Sequence, residues 1–168
     1  MKIVFNQWLK VFEVEKEING STIKREVVSR KKKLETPDLA VGGLLYDYET
    51  QKVFLVKQYR PGAMDYVVEI MAGLVDDGET PLQAFKREAM EEVGFDVAYA
   101  TDLGVYYTSP GSMREQIHLF CGFGSKTKVG GGISSEQEHL EIIELQPREL
   151  KDLNINDVKT KLCIMDFF

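Results

Sequence analysis

Two segments near the start of the chain alternate apolar and polar residues and are separated by a turn sequence. The segments are KVFEVEKEI and TIKREVVSR, and Asn19-Gly20-Ser21 lies between them. Alternation with a period of two is typical of a strand with one buried face, and Asn-Gly between two such runs is a strong hairpin signal. The pattern therefore predicts an N-terminal β-hairpin.

Apolar runs further along the chain predict more strands. LAVGGLLY and KVFLVKQY flank residues 47–50, and their content of Val, Leu and Phe predicts buried strands. VVEIMAG predicts one further short strand. Later strands are predicted at DVAYATDLGVYYT, QIHLFCGF and LEIIEL.

One amphipathic helix is predicted among these strands, ending at Gly94. Thr80 is a suitable N-cap, and Pro81 suits the first helical turn. Four apolar residues then recur at spacings of three and four: Leu82, Phe85, Ala89 and Val93. The tail from Asn156 to Phe168 has helical spacing as well. Strands with a helix between them and another at the end predict a layered α/β domain.

Composition and net charge argue against several classes of function. The chain has 168 residues, 43% hydrophobic and 29% charged, with a net charge of −6, which argues against non-specific binding to nucleic acid or a membrane surface. Cys121 and Cys163 are isolated in sequence, so neither a zinc site nor a disulfide framework is supported, and a reducing cytoplasm is expected. No segment is typical of a secretion signal or a membrane span.

Negative charge is concentrated in REAMEEVGF, residues 87–95. On a helix, Glu88, Glu91 and Glu92 fall within an arc of roughly 100° at the edge of the apolar face. Like charges at such spacings repel, and carboxylate oxygens are ligands that suit Mg²⁺ or Mn²⁺. A metal site is therefore one interpretation of the cluster, but acidic runs are more often a solvated helix face, and the cluster alone favours that alternative.

The stretch GLVDDGETPLQAFKREAMEEVGF, residues 73–95, resembles the Nudix box. The family pattern is Gly, five residues, Glu, seven residues, Arg-Glu, an aliphatic residue, any residue, Glu-Glu, any residue, Gly and an apolar residue. All eight fixed positions are matched here: Gly73, Glu79, Arg87, Glu88, Glu91, Glu92, Gly94 and Phe95. The resemblance implies a Nudix α/β/α sandwich with a mixed β-sheet, preceded by the N-terminal β-hairpin.

The resemblance also implies roles for these residues in Mg²⁺-dependent hydrolysis of a nucleoside diphosphate linked to another moiety. Glu88, Glu92 and the Ala72 carbonyl are expected to bind the metal, for which Mn²⁺ could substitute. Glu91 is expected to assist as an auxiliary ligand and candidate catalytic residue. Gly73, Glu79, Arg87 and Gly94 are expected to be structural, with Glu79 and Arg87 forming a pair.

Two segments outside the box resemble the ADP-ribose and nucleotide-sugar pyrophosphatases. The first is YTSPG, with Pro110 fifteen residues after Phe95. The second is GGGISSEQEHLEIIEL, which resembles a loop that supplies a late catalytic glutamate and is most similar to the GDP-mannose pyrophosphatase branch. It implies Glu136 as the catalytic base and Glu138 as a further metal ligand, although an ordinary flexible surface loop is the alternative.

Several residues are candidates for binding substrate: Arg60, Arg30, Ser109, Gly111, Arg114 and Trp8. Arg60 leads because a guanidinium binds oxyanions in a bidentate manner, against the alternative of a solvated turn residue. Trp8 could stack on a nucleobase, or it could pack in the core or on the hairpin. His118 and His139 are expected to be structural or surface residues, and Cys121 a buried strand residue.

These inferences together predict an enzyme that cleaves nucleoside diphosphate sugars, such as ADP-ribose or GDP-mannose, to a nucleoside monophosphate and a sugar phosphate. A housecleaning nucleoside triphosphate pyrophosphatase and a Nudix module that binds a nucleotide without catalysis are the alternatives. Residues 1–35 are expected to form the hairpin and a dimerisation element, and residues 36–168 the Nudix domain. The resemblance implies a homodimer.

Overall fold

The computed structural model describes residues 2–6, 8–31, 34–127 and 140–168, and of residues 2–6 the backbone alone. The chain divides into two compact units. The first comprises Met1–Ala40 and Val105–Ile117, and the second comprises Val41–Gly104 and His118–Phe168. Among the described residues, no helix is long and apolar enough to cross a bilayer.

The first unit contains a three-stranded antiparallel sheet. Its strands, in spatial order, are β1 (Lys2–Asn6), β2 (Lys10–Ile18) and β3 (Ser21–Ser29). The predicted hairpin is confirmed, because β2 pairs with β3 through a turn in which Asn19 and Gly20 both have positive φ, at 52° and 76°. Strand β1 was not predicted from the apolar pattern.

A larger sheet of seven strands holds the core of the second unit. Its strands are β4 (Asp38–Asp47), β5 (Lys52–Arg60), β6 (Asp65–Glu69), β7 (Met71–Leu74), β8 (Phe95–Tyr107), β9 (Glu115–Lys126) and β10 (Glu141–Leu145). The main order is β10-β5-β4-β9-β8, with β6 on β5 and β7 on β4. The stretch VVEIMAG is therefore two strands rather than the one predicted, because Ile70 leaves the ladder and its N–H donates to Thr160 Oγ1 at 2.8 Å.

The sheet is mixed, as predicted. Strands β10, β4 and β6 each pair with β5 in the antiparallel sense. Strands β4 and β9 are parallel, because residues at a nearly constant offset meet along them: Asp38 N–H donates to the Arg114 carbonyl, and Tyr48 N–H donates to that of Gly124.

Helices cover both faces of this sheet in the second unit. Helix α1 (Pro81–Glu88) places Phe85 against Phe120, with ring centroids 4.9 Å apart. Helix α2 (Val158–Phe167) places Phe167 against Tyr46 at 5.7 Å. Tyr46 alternates along β4 with Leu45, which belongs to the core around Phe85, so the two helices lie on opposite faces. This arrangement is the predicted α/β/α sandwich.

Helix α1 is not regular along its full predicted length. Thr80 and Gln83 form a capping box at its start, as the sequence indicates for Thr80. After Glu88, however, residues Ala89–Val93 form a π-helical turn that ends at Gly94 with φ of 71°. The predicted end of the helix at Gly94 is therefore confirmed, while its last turn is π-helical rather than α-helical. Apolar spacings of three and four fit either form, and π turns are rare and often found at functional sites.

The C-terminal tail is helical, as predicted. Asp157 accepts the N–H of Thr160 at 2.9 Å and so caps α2. A short 3₁₀ helix, Pro147–Asp152, precedes it and was not predicted.

Candidate active site

The guanidinium of Arg87, in α1, donates hydrogen bonds to three carboxylates and one carbonyl. Its Nε and Nη2 donate to the two oxygens of Glu79 at 2.9 and 3.0 Å. Its Nη1 donates to Glu88 at 2.7 Å and to Glu91 at 3.1 Å, and Nη2 also donates to the Leu74 carbonyl at 2.9 Å. The Glu79 hydrogen bond is the main cause of the raised pKa of Arg87 and of the lowered pKa of Glu79. Arg87 thereby ties the loop before α1 to the acidic end of the helix.

The Glu92 side chain is buried, and that of Glu88 in the same region is largely buried. The Glu88 side chain is 13% exposed, and Glu92 is 8% exposed. Burial raises the pKa of Glu92 to about 8, and the negative charge of Glu88 adds to that rise. Burial also raises the pKa of Glu88, although Arg87 opposes the shift. Two neighbouring carboxyl groups are thus held where ionisation is unfavourable without an added positive charge.

Glu91 differs from the other two glutamates, since 51% of its side chain is exposed. Regular helical geometry predicted all three on one edge of the apolar face. The π turn that begins at Ala89 changes the angular positions of the residues after it, so that Glu92 is buried while Glu91 lies outside and meets Arg87.

Gly73, in β7, allows the Glu88 carboxyl group to lie against the backbone of that strand. A Cβ at this position would overlap the Glu88 carboxyl group itself. The next contact between β7 and the helix is the Ala72 N–H, which donates to Glu92 Oε2 at 3.3 Å. Two adjacent residues of β7 therefore contact the two glutamates: Ala72 contacts Glu92, and Gly73 lies against Glu88.

We expect Gly73→Ala to lower kcat/KM at least tenfold while the protein remains folded. The φ of Gly73 lies outside the left-handed region, so alanine adds no backbone strain there, and its methyl group must displace the Glu88 carboxyl group. Steady-state kinetics and a thermal melt measure the two effects.

Gly62→Ala is the matched control, because a Cβ at Gly62 has no neighbour within 4 Å and its φ is also outside the left-handed region. If Gly73→Ala were as active as Gly62→Ala, the position of the Glu88 carboxylate would not matter for activity.

The donors present fit a divalent cation. Hard cations with octahedral shells prefer carboxylate oxygens and bind to few protein ligands. Glu88 and Glu92 supply two buried carboxylates whose pKa values burial has raised, and a cation between them would offset that cost. Among the described residues, no three acidic, histidine or cysteine side chains already stand together as a full ligand set. Completion of the shell would therefore fall to water, backbone carbonyls, substrate or other residues.

Arg60 lies at the end of β5 and is held by a buried acid. Its Nε donates to Glu69 Oε1 at 2.5 Å, and Glu69 is 1% exposed. The positive charge of Arg60 opposes the rise that burial causes in the pKa of Glu92. The side chain of Arg60 is 38% exposed, so it is partly solvated, as the alternative held, and it also forms an ion pair with Glu69.

The other arginine candidates lie in the first unit. Arg30 forms an ion pair with Glu115, and its backbone N–H donates to the Asp38 carboxylate at 2.9 Å. The Nε of Arg114 is buried without a hydrogen-bond partner among the described residues. Ser109 and Gly111 belong to the turn between β8 and β9, where the Ser109 carbonyl accepts the N–H groups of residues 112 and 113.

Trp8, also in the first unit, is 66% exposed, so core packing within this chain is wrong as an account of it. His118 of the second unit is structural, as expected, because it bonds to Asp102 at 2.8 Å and stacks on Phe120. Cys121 is confirmed as a buried strand residue. Glu136, Glu138 and His139 lie outside the described residues.

Reasoning from sequence missed the partners that surround Arg60. Glu69 bonds to Arg60 and also to Lys159 of α2, which in turn bonds to Asp157 at 2.7 Å. Glu69 is the one charged residue within VVEIMAG, and a lone charge in a buried apolar strand signals an ionic partner elsewhere in the fold. That signal does not say which residue the partner is.

The fold and the box geometry are those of a family of metal-dependent hydrolases, and comparison with known proteins identifies it. A NUDIX domain matches residues 36–162. The chain belongs to the Nudix family and is a Nudix hydrolase.

The chain is similar to several named relatives and to a solved structure. It is 34% identical over 154 residues to a GDP-mannose pyrophosphatase of Cronobacter sakazakii, covering 83% of this chain and 78% of that protein. It is 34% identical over 150 residues to a methanol dehydrogenase activator of Bacillus methanolicus, covering 87% and 77%. A crystal structure of an ADP compounds hydrolase matches with a TM-score of 0.76 at 19% identity, covering 98% of this chain and 87% of the other. The last match concerns the fold alone.

Proposed function

We propose that this enzyme hydrolyses the pyrophosphate bond of nucleoside diphosphate sugars, such as ADP-ribose or GDP-mannose, in a Mg²⁺-dependent reaction. Water adds its oxygen to one phosphorus, the bond from that phosphorus to the bridging oxygen breaks, and protons are released to solvent. The products are a nucleoside monophosphate and a sugar phosphate. The GDP-mannose pyrophosphatases among the relatives at 33–34% identity support this substrate class.

The observation that carries the proposal is the pair of buried carboxylates, Glu88 and Glu92, pressed against Ala72 and Gly73 of β7. We propose that these two side chains and the Ala72 carbonyl hold Mg²⁺, with Mn²⁺ as a substitute. The bound cation would supply the positive charge that polarises the phosphoryl oxygens. Arg87 would keep Glu88 oriented, and Glu79 would keep Arg87 in place.

Substrate would be bound mainly through arginine. We propose that Arg60 binds a phosphate or the terminal sugar, because its guanidinium is held close enough to Glu92 to affect the pKa of that group. Arg30, Arg114, Ser109, Gly111 and Trp8 stay as substrate-binding proposals from the resemblance. Glu136 is the proposed base, with Glu91 next, and Glu138 is the proposed additional metal ligand.

The decisive experiment is product analysis over a panel of substrates at excess Mg²⁺. We expect a nucleoside monophosphate and a sugar phosphate from at least one of ADP-ribose, GDP-mannose and other nucleotide sugars, and no turnover in EDTA. Hydrolysis in H₂¹⁸O identifies which phosphorus receives the water oxygen. The intact box glutamates favour catalysis over a module that only binds a nucleotide.

Two outcomes would contradict the proposal. Pyrophosphate released from a nucleoside triphosphate, faster than monophosphate from any nucleotide sugar, would indicate a housecleaning triphosphate pyrophosphatase. Nucleotide binding without turnover at any Mg²⁺ concentration would indicate a non-catalytic module.

We further propose a homodimer in which residues 1–35 form the dimerisation element and residues 36–168 the Nudix domain. The first unit exposes several large apolar side chains, which is common at protein interfaces: Trp8, Leu9, Ile18, Val105, Tyr106 and Tyr107. A monomer at micromolar concentration in sedimentation, or a dimer that survives deletion of residues 1–35, would contradict this assignment.

The two free cysteines support a reducing cytoplasm as the compartment.

A further inference from the structure

A buried ionic network links Arg60 to helix α2 within the second unit. Glu69 is 1% exposed and uses both carboxylate oxygens: Oε1 accepts from Arg60 Nε at 2.5 Å, and Oε2 accepts from Lys159 Nζ. Lys159 also bonds to Asp157 Oδ1 at 2.7 Å. The four side chains carry two positive and two negative charges. We refer to Arg60, Glu69, Asp157 and Lys159 as the Glu69 network.

The first half of the network lies on the face of the larger sheet that is covered by helix α1 and its π turn. Glu69 of β6 pairs directly with Val56 of β5, so the two side chains share a face. Residues two apart along a strand also share a face, which places Arg60 on the side of Val56. Val56 belongs to the core cluster that includes Phe85 and Val93 of the box helix and its π turn.

The chain itself brings the network close to the candidate metal site. Glu69 lies three residues before Ala72, whose N–H donates to Glu92 Oε2 at 3.3 Å. The network therefore adjoins the strand that contacts the Glu92 carboxylate, although none of its members belongs to the box.

The second half of the network is built on the start of α2, which is doubly anchored to the chain beside Glu69. Asp157 Oδ2 accepts from the Thr160 N–H at 2.9 Å and from Thr160 Oγ1 at 2.5 Å. Thr160 Oγ1 in turn accepts the N–H of Ile70 at 2.8 Å. Side chains of α2 thus fix residues 69 and 70, which lie two to four residues before Ala72 and Gly73.

Stability alone does not explain why an acid with two cationic partners is buried at position 69. A buried ion pair adds little stability relative to apolar side chains of similar volume, and its removal on one side leaves an unpaired charge. An arginine side chain has many rotamers, and a hydrogen bond through Nε fixes the plane of its guanidinium, so the two Nη groups keep one direction. That property serves an arginine that must meet an oxyanion.

We propose that Glu69 is a positioning residue for hydrolysis: it orients the guanidinium of Arg60 toward a substrate oxyanion beside the box carboxylates, and Lys159 makes this orientation depend on helix α2. The inference rests on the proposed function, in which Arg60 binds a phosphate or the terminal sugar. Glu69 itself touches neither substrate nor metal in this account.

The test is a double-mutant cycle on KM. Glu69→Gln is nearly isosteric but weakens the charged hydrogen bond that orients the Arg60 guanidinium. We therefore expect it to raise KM for the best nucleotide sugar about tenfold. The kcat should change less than KM. Arg60→Met should raise KM by at least as much, and Glu69→Gln added to Arg60→Met should raise it no further.

Two more variants separate positioning from general stability. Lys159→Met should raise KM in the Arg60 background but not in the Arg60→Met background. Glu144→Gln is the control, because Glu144 forms an ion pair of 3.0 Å with Lys52 on the half-exposed β10–β5 edge, and it should leave KM and kcat unchanged. The inference would be overturned if Glu69→Gln raised KM by the same factor with Arg60 and with Met at position 60. The same holds if the rise in KM simply followed a loss of melting temperature.

The NMR signal of the Arg60 Nε–H group distinguishes failure of this inference from failure of the proposed function. We expect a protected, shifted resonance in the wild type that is lost in Glu69→Gln. If the wild type hydrolyses no nucleotide sugar, the proposed function is overturned. In that case, loss of the resonance in Glu69→Gln would still show that Glu69 positions Arg60, and its persistence would show that Glu69 does not. If nucleotide sugars are hydrolysed and Glu69→Gln leaves KM unchanged, the inference alone is overturned.

Discussion

Glu92→Gln should lower kcat by on the order of 10² or more, because it removes a principal negative charge from the proposed metal site while the side-chain shape is nearly unchanged. Glu92 is 8% exposed and receives the Ala72 N–H at 3.3 Å. A glutamine oxygen can still accept that hydrogen bond, so the contact between β7 and the helix should persist. Steady-state rates measured over a series of Mg²⁺ concentrations give the result.

The same substitution should raise the melting temperature in EDTA. Burial raises the pKa of Glu92 to about 8, which means that the ionised side chain is disfavoured in the folded protein. A carboxyl group with a raised folded pKa contributes an unfavourable term that grows as pH rises from its unfolded pKa toward the folded value. Glutamine removes that term, so the gain in melting temperature should be larger at pH 8 than at pH 5.

Glu49→Gln is a suitable control, because Glu49 is exposed in the turn between β4 and β5. It should change neither kcat nor the pH dependence of the melting temperature. Turnover of Glu92→Gln near the wild-type rate at saturating Mg²⁺ would show that Glu92 is not a principal metal ligand.

Local patterns in the sequence predicted the elements whose cause is local. Asn19-Gly20 suits a turn in which both residues have positive φ, and Thr80 with Gln83 forms the capping box of α1. Strand β1 escaped prediction because its five residues carry little alternation. The break between β6 and β7 depends on a hydrogen bond from Ile70 to Thr160, ninety residues away, which no local pattern contains.

The box motif predicted which residues crowd together at the candidate site but not their individual environments. The motif does not reveal that Ala89–Val93 form a π turn, and that turn separates the buried Glu92 from the half-exposed Glu91. It also does not reveal that a Cβ at Gly73 would overlap the Glu88 carboxyl group. Both facts depend on how β7 packs against the helix, which is tertiary information.

The partners of Arg60 were beyond reach for the same reason. Glu69 and Lys159 are separated by ninety residues and meet only because α2 packs at the end of β6. Reasoning from sequence can note that a lone acid in a buried strand needs a cation, yet several lysines and arginines satisfy that need equally well until the topology is known.

Glu136→Gln should produce the other large effect, a fall in kcat of about 10² to 10⁴, which is the range expected for loss of a general base. The Mg²⁺ concentration needed for half-maximal activity should stay close to that of the wild type. A base acts on the attacking water only in the reacting complex, so its removal leaves the earlier binding steps intact.

Glu138→Gln is the companion variant and should behave differently. Glu138 is the proposed additional metal ligand, and a ligand contributes before chemistry as well as during it. Its loss should therefore raise the Mg²⁺ requirement for half-maximal activity and also lower kcat. Titrations of Mg²⁺ with both variants at saturating substrate separate the two roles directly.

The pattern across the two titrations determines the assignment. If Glu136→Gln raised the Mg²⁺ requirement and Glu138→Gln did not, the roles of the two residues would be exchanged. If both variants were near normal in kcat and in Mg²⁺ requirement, the base would lie elsewhere. Glu91 would be next to test, because its half-exposed carboxylate is held by Arg87 at 3.1 Å beside the buried pair. Glu91→Gln would then have to lower kcat without changing the Mg²⁺ requirement.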